Sequence, residues 1–379
     1  MRCLLKAAAS VLIVVLLLLI SMPIAAETEL LPDLSLLEDA VSELDATLNG
    51  TFSLSAFFDS VKNGDFSFDL SSLLGMLSEL FFGEVKTFFG LLGQLMLLGI
   101  IAAILRVFED SLQGEAAGVG QCVVYLAFLL LAVKCFHLGM ELGTETIDTA
   151  ANFLYALLPV ILSSFALIGG TAAATMVQPS VLGVITLFMG LLERFFLPLL
   201  TVIAALTVCS HLSRRFSFKN FIELIRSVIL ISLGFLMLLC TGVLSLSGIA
   251  AGTIDGLGAK SLKMAAGNFI PVVGGYISDA FDSILGAGLL LRSSIGIFGV
   301  IAVAVILIVP ALRILIMALL FKLTAAVLQP FGNDDFVGAL SDFSSVLMLL
   351  FGLVTITGLL FFFLILCVVA VSTMTMMFR

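Results

Sequence analysis

The chain has 379 residues, 61% of them hydrophobic and 11% charged, with a formal net charge of −9 and a mean hydropathy of +1.28. A soluble domain is nearer half apolar and a quarter charged, and here the apolar blocks are long enough to cross a hydrocarbon layer of roughly 30 Å. A soluble globular protein is excluded, and the alternating ten-residue strands of a β-barrel are not evident. The composition specifies an all-α, polytopic helical membrane protein.

Residues 1–26 have the pattern of a secretory signal peptide: Arg2 and Lys6, an apolar core from Ala7 to Ile20, and a small-residue exit at Pro23-Ile24-Ala25-Ala26. Cleavage after Ala26 and retention as a first span are both open, with Ile24 the less favourable feature for cleavage. Either way, the region beginning at Glu27 is placed outside the cytoplasm.

Residues 27–86 hold twelve of the 26 acidic residues against two lysines, so the acidity of the chain is local. Leu34, Leu37, Val41, Leu44 and Leu48 form one helical stripe with Glu38, Asp39, Glu43 and Asp45 off it. Ser35 and Glu38 fit a capping box and Asn49-Gly50 a stop. Further short helices are expected at 54–61 and 71–86. This is a small acidic extracytoplasmic helical region, which packs on itself or docks a partner through its stripe.

Residues 87–379 make the polytopic membrane domain. Candidate spans lie at 88–105, 119–138, 152–172, 181–210, 221–248, 293–310, 311–330 and 344–371. The loop with Arg214, Arg215 and Lys219 is expected to be cytoplasmic, and a loop around Glu141, Glu145 and Asp148 outside. Parity then asks 181–210 to enter and return, and Glu193, Arg194 and Pro198 interrupt it where a hairpin of two short segments would turn.

Chemistry-bearing motifs are few. The six cysteines, Cys3, Cys122, Cys135, Cys209, Cys240 and Cys367, contain no C-x-x-C pair, so neither a metal site nor a disulfide framework is expected. The two histidines, His137 and His211, are near no recognisable nucleophile motif. GTIDGLGAKS at 252–261 resembles a phosphate loop superficially but lacks the glycine before Lys260. No catalytic residue, cofactor, metal or nucleic-acid site is assigned.

Charges in apolar blocks say more, because one at mid-membrane costs about 2.5–3.5 kcal/mol and turns toward protein or water. Glu193 and Arg194 belong either to a polar path or to a tip at the far interface. Lys134 and Lys322, nearer span ends, can snorkel as anchors. Gly139 and Gly143, and Gly248, Gly252 and Gly256, have the four-residue spacing that lets helices approach closely.

The stretch 265–292 is too polar for an ordinary span and too apolar for an ordinary loop. Pro271 and Gly274-Gly275 break any helix arriving from Lys260. From Tyr276, Ile277, Phe281, Ile284 and Leu285 gather on one side and Asp279, Asp282 and Ser283 on the other, with Leu290 the main exception. A bend and an amphipathic helix are expected, at the outer interface or lining a wet cavity. Asn268, Pro271, Asp279 and Asp282 join Glu193 and Arg194 as candidates for a polar path or partner contact.

GNFIPVVGGYISDAFDSILGAGLLLRSSIGIFGV, beginning at Gly267, and FKLTAAVLQPFG at 321–332 closely resemble the stage III sporulation protein AE family of endospore-forming bacteria. The likeness extends over the signal, the membrane part and the tail TMTMMFR, and over the acidic region mainly in composition. It implies a multi-pass protein of the mother-cell membrane facing the forespore, part of a secretion-like channel joining the two cells. The implied partners are the other proteins of that channel, including a forespore-side ring protein, with self-association open. A self-sufficient secondary transporter, suggested by the broken blocks 181–210 and 295–329, and a platform recruiting ring proteins are the alternatives.

Overall fold

The computed structural model describes residues 83, 85, 86, 88–90, 93–104, 115–167, 171–212, 218–269, 274–331 and 334–377. The expected signal and nearly all of the acidic region lie outside the described residues. Every element among the described residues is helical. A shorter apolar helix, α1 (Phe88–Ile104), precedes the long ones. These are α2 (Glu115–Leu167), then α3 (Thr171–Leu191), a π turn (Leu192–Phe196) and α4 (Leu197–Leu212) in one unbroken rod, followed by α5 (Lys219–Phe269), α6 (Gly274–Leu328) and α7 (Asp334–Met377).

Five helical stretches are long and apolar enough to cross a membrane: Cys122–Ile161, Val177–Leu212, Lys219–Ser247, Phe298–Phe331 and Asp334–Val369. This is a multi-pass membrane protein. The eight expected spans are too many, for identifiable reasons. Residues 119–138 and 152–172 are parts of a single α2, so Glu141, Glu145 and Asp148 are helical and not a loop. The residues between, including Met140, Glu141, Leu142 and Glu145, are strong helix formers, and Thr144 and Thr146 return their hydroxyl bonds to the carbonyls of Met140 and Leu142.

Likewise 293–310 and 311–330 are one α6 running through Pro310; proline is tolerated in membrane helices where neighbours cover the freed carbonyl. The hairpin expected at 181–210 is absent. Leu191 and Leu197, on either side of the π turn, keep right-handed helical backbone angles, and the chain passes straight on. The stretch after Pro271 is not a separate helix either, since α6 begins at Gly274 and continues into its span.

Antiparallel neighbours set the levels along the bundle. His211 meets Asp342 at one end and Ser247 meets Ser180 toward the other. α7 is the axis: α6, α5 and α2 all pack on it, while α3 touches both α2 and α5. Seen along α7, the order around it is α2, α6, α5 and α3, with α2 and α5 on opposite sides.

Glycine and aromatic contacts lock this arrangement. Gly139 and Gly143 face Leu347 and Leu350 of α7, and a Cβ at either would lie 2.8 Å and 3.0 Å from the leucine methyls. Phe128 and Phe336 pack with ring centroids 4.6 Å apart, and Tyr125 meets Phe336 edge-on at 5.0 Å. Buried Ser344 donates to the carbonyl of Ala318 at 2.8 Å, satisfying a hydroxyl in the α6–α7 seam.

Candidate functional site

α2 buries Phe128, Ala132, Cys135, Gly139, Gly143, Ala150 and Leu157 on one side. Directly opposite, Lys134, His137, Glu141 and Glu145 are exposed and Asp148 is half-buried. Their steps of three and four residues keep them on one stripe, about 21 Å long at 1.5 Å per residue. The same outward face is apolar on one side of the stripe, at Val119, Val123, Leu126 and Leu130.

Across the bundle the outward face is more apolar. Leu244 of α5 is level with Cys367 of α7 through a sulfur contact of 3.3 Å, and Gly143 of α2 is level with Leu350. Counting back along α5 and α7, which run side by side, the charged stripe is level with the stretch around Val228. There α5 exposes Phe221, Leu224, Val228, Ile231, Phe235 and Leu238, together with Glu223 and Ser227. The apolar ones also recur every three or four residues and form a face suited to lipid. Lys219–Ser247 spans 29 residues, about 43 Å of helix, which matches a bilayer with its headgroups. Lys134 and His137 are therefore level with the first turns of α5, and Glu145 and Asp148 with the stretch from Ile229 to Ser232, where α5 is more apolar.

The π turn continues the charged face onto the next rod. Pro198 has no N–H, so the helical carbonyl that would have been its partner is freed and the local register widens. Leu197 instead donates five residues back to Leu192, the hydrogen bond of a π turn, a feature frequent at functional sites. Leu192 and Phe196 stay buried, while Glu193 and Arg194 are exposed. Glu193 opens onto a shallow groove with Leu197, Pro198, Thr201, Val202 and Ala205. Tyr155 of α2 meets Thr186 of α3 at 3.4 Å, and counting about two turns from that contact along the antiparallel helices sets Glu193 near the level of Asp148.

Of the residues singled out from sequence, Glu193 is thus level with this stripe, and Arg194 is exposed on the same turn. Asn268 lies at the end of α5 and Asp279 and Asp282 near the start of α6; their side chains, and Pro271, lie outside the described residues. Glu141, Glu145 and Asp148 escape a reading that places a loop there, and with them the stripe they form with Lys134 and His137, which that reading puts in the span 119–138. The helical spacing of the stripe is the signal that finds it.

Two further features bear on chemistry. His211 Nε2 lies 2.9 Å from Asp342 Oδ2, so the partner of this ring nitrogen is a carboxylate and not a nucleophile. Among the described residues, no group of three or more His, Cys, Asp or Glu side chains is placed to hold a metal ion.

The chain matches the stage III sporulation protein AE family over residues 52–372. It is similar to stage III sporulation protein AE of Bacillus subtilis (strain 168), with 31% identity over 318 residues that cover 84% of this chain and 80% of that protein. No solved structure matches it. A long two-sided helical bundle and a family match across most of its length together place the chain in the stage III sporulation protein AE family.

Proposed function

We propose that the protein is a membrane core component of the channel between mother cell and forespore, residing in the mother-cell membrane that faces the forespore, and that it carries out no reaction of its own. The charged face of α2 and the π turn is the working surface in this reading, turned to protein or water. The observation that carries it is the mismatch in height. Glu141 and Glu145 are exposed at a height where α5 exposes Leu224, Val228 and Ile231, with Glu223 and Ser227 the polar residues among them. Placing Glu141 and Glu145 in lipid would cost several kcal/mol at about 2.5–3.5 kcal/mol each.

Its partners are the other proteins of the same channel complex. The bundle supplies one charged wall, and a conduit needs others. The alternative of a self-sufficient secondary transporter drew on two broken helices, and α6 is continuous through Pro310, which leaves only the π turn in its favour.

Glu193→Leu tests the proposal. Spore formation should fall at least tenfold while membrane abundance stays normal, and co-isolation with the other channel proteins should weaken. Full sporulation by this variant would refute the assignment of the working surface.

A further inference from the structure

We propose that the cytoplasmic mouth of the groove between α5 and α6 binds the phosphate of an anionic phospholipid, held by Lys219 and Arg226 of α5 and Lys322 of α6. This groove lies on the far flank of α6 from the charged stripe of α2.

Both α5 and α6 pack along α7 and meet each other much less, which leaves a groove floored by α7. Leu244 and Cys367 touch across the α5–α7 seam. Arg226 and Leu349 stand about 18 residues before them, five whole helical turns, so Arg226 points at α7 level with Leu349. Lys219 lies about two turns earlier on the same side of α5, level with Ser341. Lys322 arrives from α6 and donates to Ser341 Oγ at 2.7 Å. Ser345, one turn from Leu349, donates to the carbonyl of Ser341 at 2.9 Å. Helical side chains lean toward the N-terminus, and α5 begins at this end, so Arg226 leans toward the two lysines.

Arg226 is half-buried, and its Nε is enclosed with no hydrogen-bond partner. A buried cationic N–H without an acceptor is costly, and the acids of this chain do not answer it. Glu223, exposed one turn away, pairs with neither Lys219 nor Arg226 among the described residues. Asp342 is turned to His211 of α4. Glu109 and Asp110 belong to the connection between α1 and α2. Both of those helices pack on the opposite flank of α6, where Gly99 faces Leu328 and Gly139 approaches Met317. The acidic region 27–86 follows a signal sequence that places it across the membrane.

A lipid headgroup does reach this place. Lys219 begins an apolar span of 29 residues, so its level is the interface, where basic pockets between helices suit anionic headgroups. The phosphate oxygens accept from Arg226 and from both lysines, and an acyl chain runs along exposed Leu319.

Native mass spectrometry of the full-length protein in nonionic detergent counts the lipid it retains. Given phosphatidylglycerol and phosphatidylcholine with identical chains, the wild type should prefer phosphatidylglycerol at least about tenfold. Arg226→Gln should bring the two lipids near parity, and Arg226→Lys should keep part of the preference. Lys219→Gln with Lys322→Gln should also abolish it; both lysines are exposed, so folding is spared. Lys134→Gln, at the same level on α2, should leave the preference intact.

No preference in the wild type, indifference to these substitutions, or an equal loss with Lys134→Gln would each overturn the site. Displacement of phosphatidylglycerol by millimolar inorganic phosphate would overturn it in favour of a soluble anion. A preference that appears only after Glu109→Gln with Asp110→Asn would overturn it too, because the chain would then cover its own groove.

Discussion

The imidazole Nε2 of His211 lies 2.9 Å from Oδ2 of Asp342, fastening the last turn of α4 to the first turns of α7. His211 is nearly enclosed, whereas the Asp342 side chain is 44% exposed, so solvent weakens the pair. His211→Ala or Asp342→Asn should cost about 0.5–1.5 kcal/mol and lower the thermal midpoint in detergent by a few degrees. An unchanged midpoint in both would mean that the contact contributes nothing.

Close approach of α2 to α7 depends on Gly139 and Gly143. A Cβ there meets leucine methyls at 2.8 Å and 3.0 Å, and the ends of flexible side chains can retreat a little. Gly143→Ala should therefore be nearly tolerated. Gly139→Val combined with Gly143→Val should cost about 1–3 kcal/mol through overpacking. Detergent-solubilised unfolding measures both, and equal stability of the valine and alanine variants would count against this seam.

Pro198 holds the π turn open, and the turn aims Glu193 and Arg194. Pro198→Ala restores the missing donor and allows an ordinary α-helix, which rotates both charges relative to α2. The expected outcome is a more stable protein with impaired sporulation. A variant that sporulates as well as the wild type would show that the aim of these two side chains is unimportant.

The apolar blocks alone reveal the all-α architecture, because nothing else satisfies the backbone of so many long apolar segments. The number of crossings is less legible. Glu141, Glu145 and Asp148 resemble a loop by polarity, yet no proline lies among them, Gly139 and Gly143 are held against α7, and Thr144 and Thr146 bond back along the helix. Pro310 resembles a stop, yet α6 passes through it.

Glu193 and Arg194 are visible as charges in an apolar block. The stripe on α2 is not, because a segment counted as a loop is never placed on a helical wheel. Nor does one sequence reveal which part of α5 stands at the same height, since that depends on how α7 aligns the two helices.

Helix continuity sets the topology. With the basic stretch at Arg214 and Arg215 inside, single crossings by α2, by the α3–α4 rod and by each later helix bring the end of α7 outside. A cysteine placed at 217 should resist an impermeant thiol reagent in intact cells, and one near 377 should react. Labelling at 217 would invert the orientation, and protection at 377 would require an additional crossing.

The most direct test compares two positions of equal height on opposite sides of the bundle. Spin labels at Glu141→Cys on α2 and Val228→Cys on α5, in bilayers, are read for collision with oxygen, which concentrates in lipid, and with a water-soluble nickel chelate. The label at 228 should respond to oxygen alone, while the label at 141 should show low oxygen accessibility, whether it meets water or protein. Equal, lipid-like oxygen accessibility at both positions would contradict the two-sided bundle and the working surface built on it.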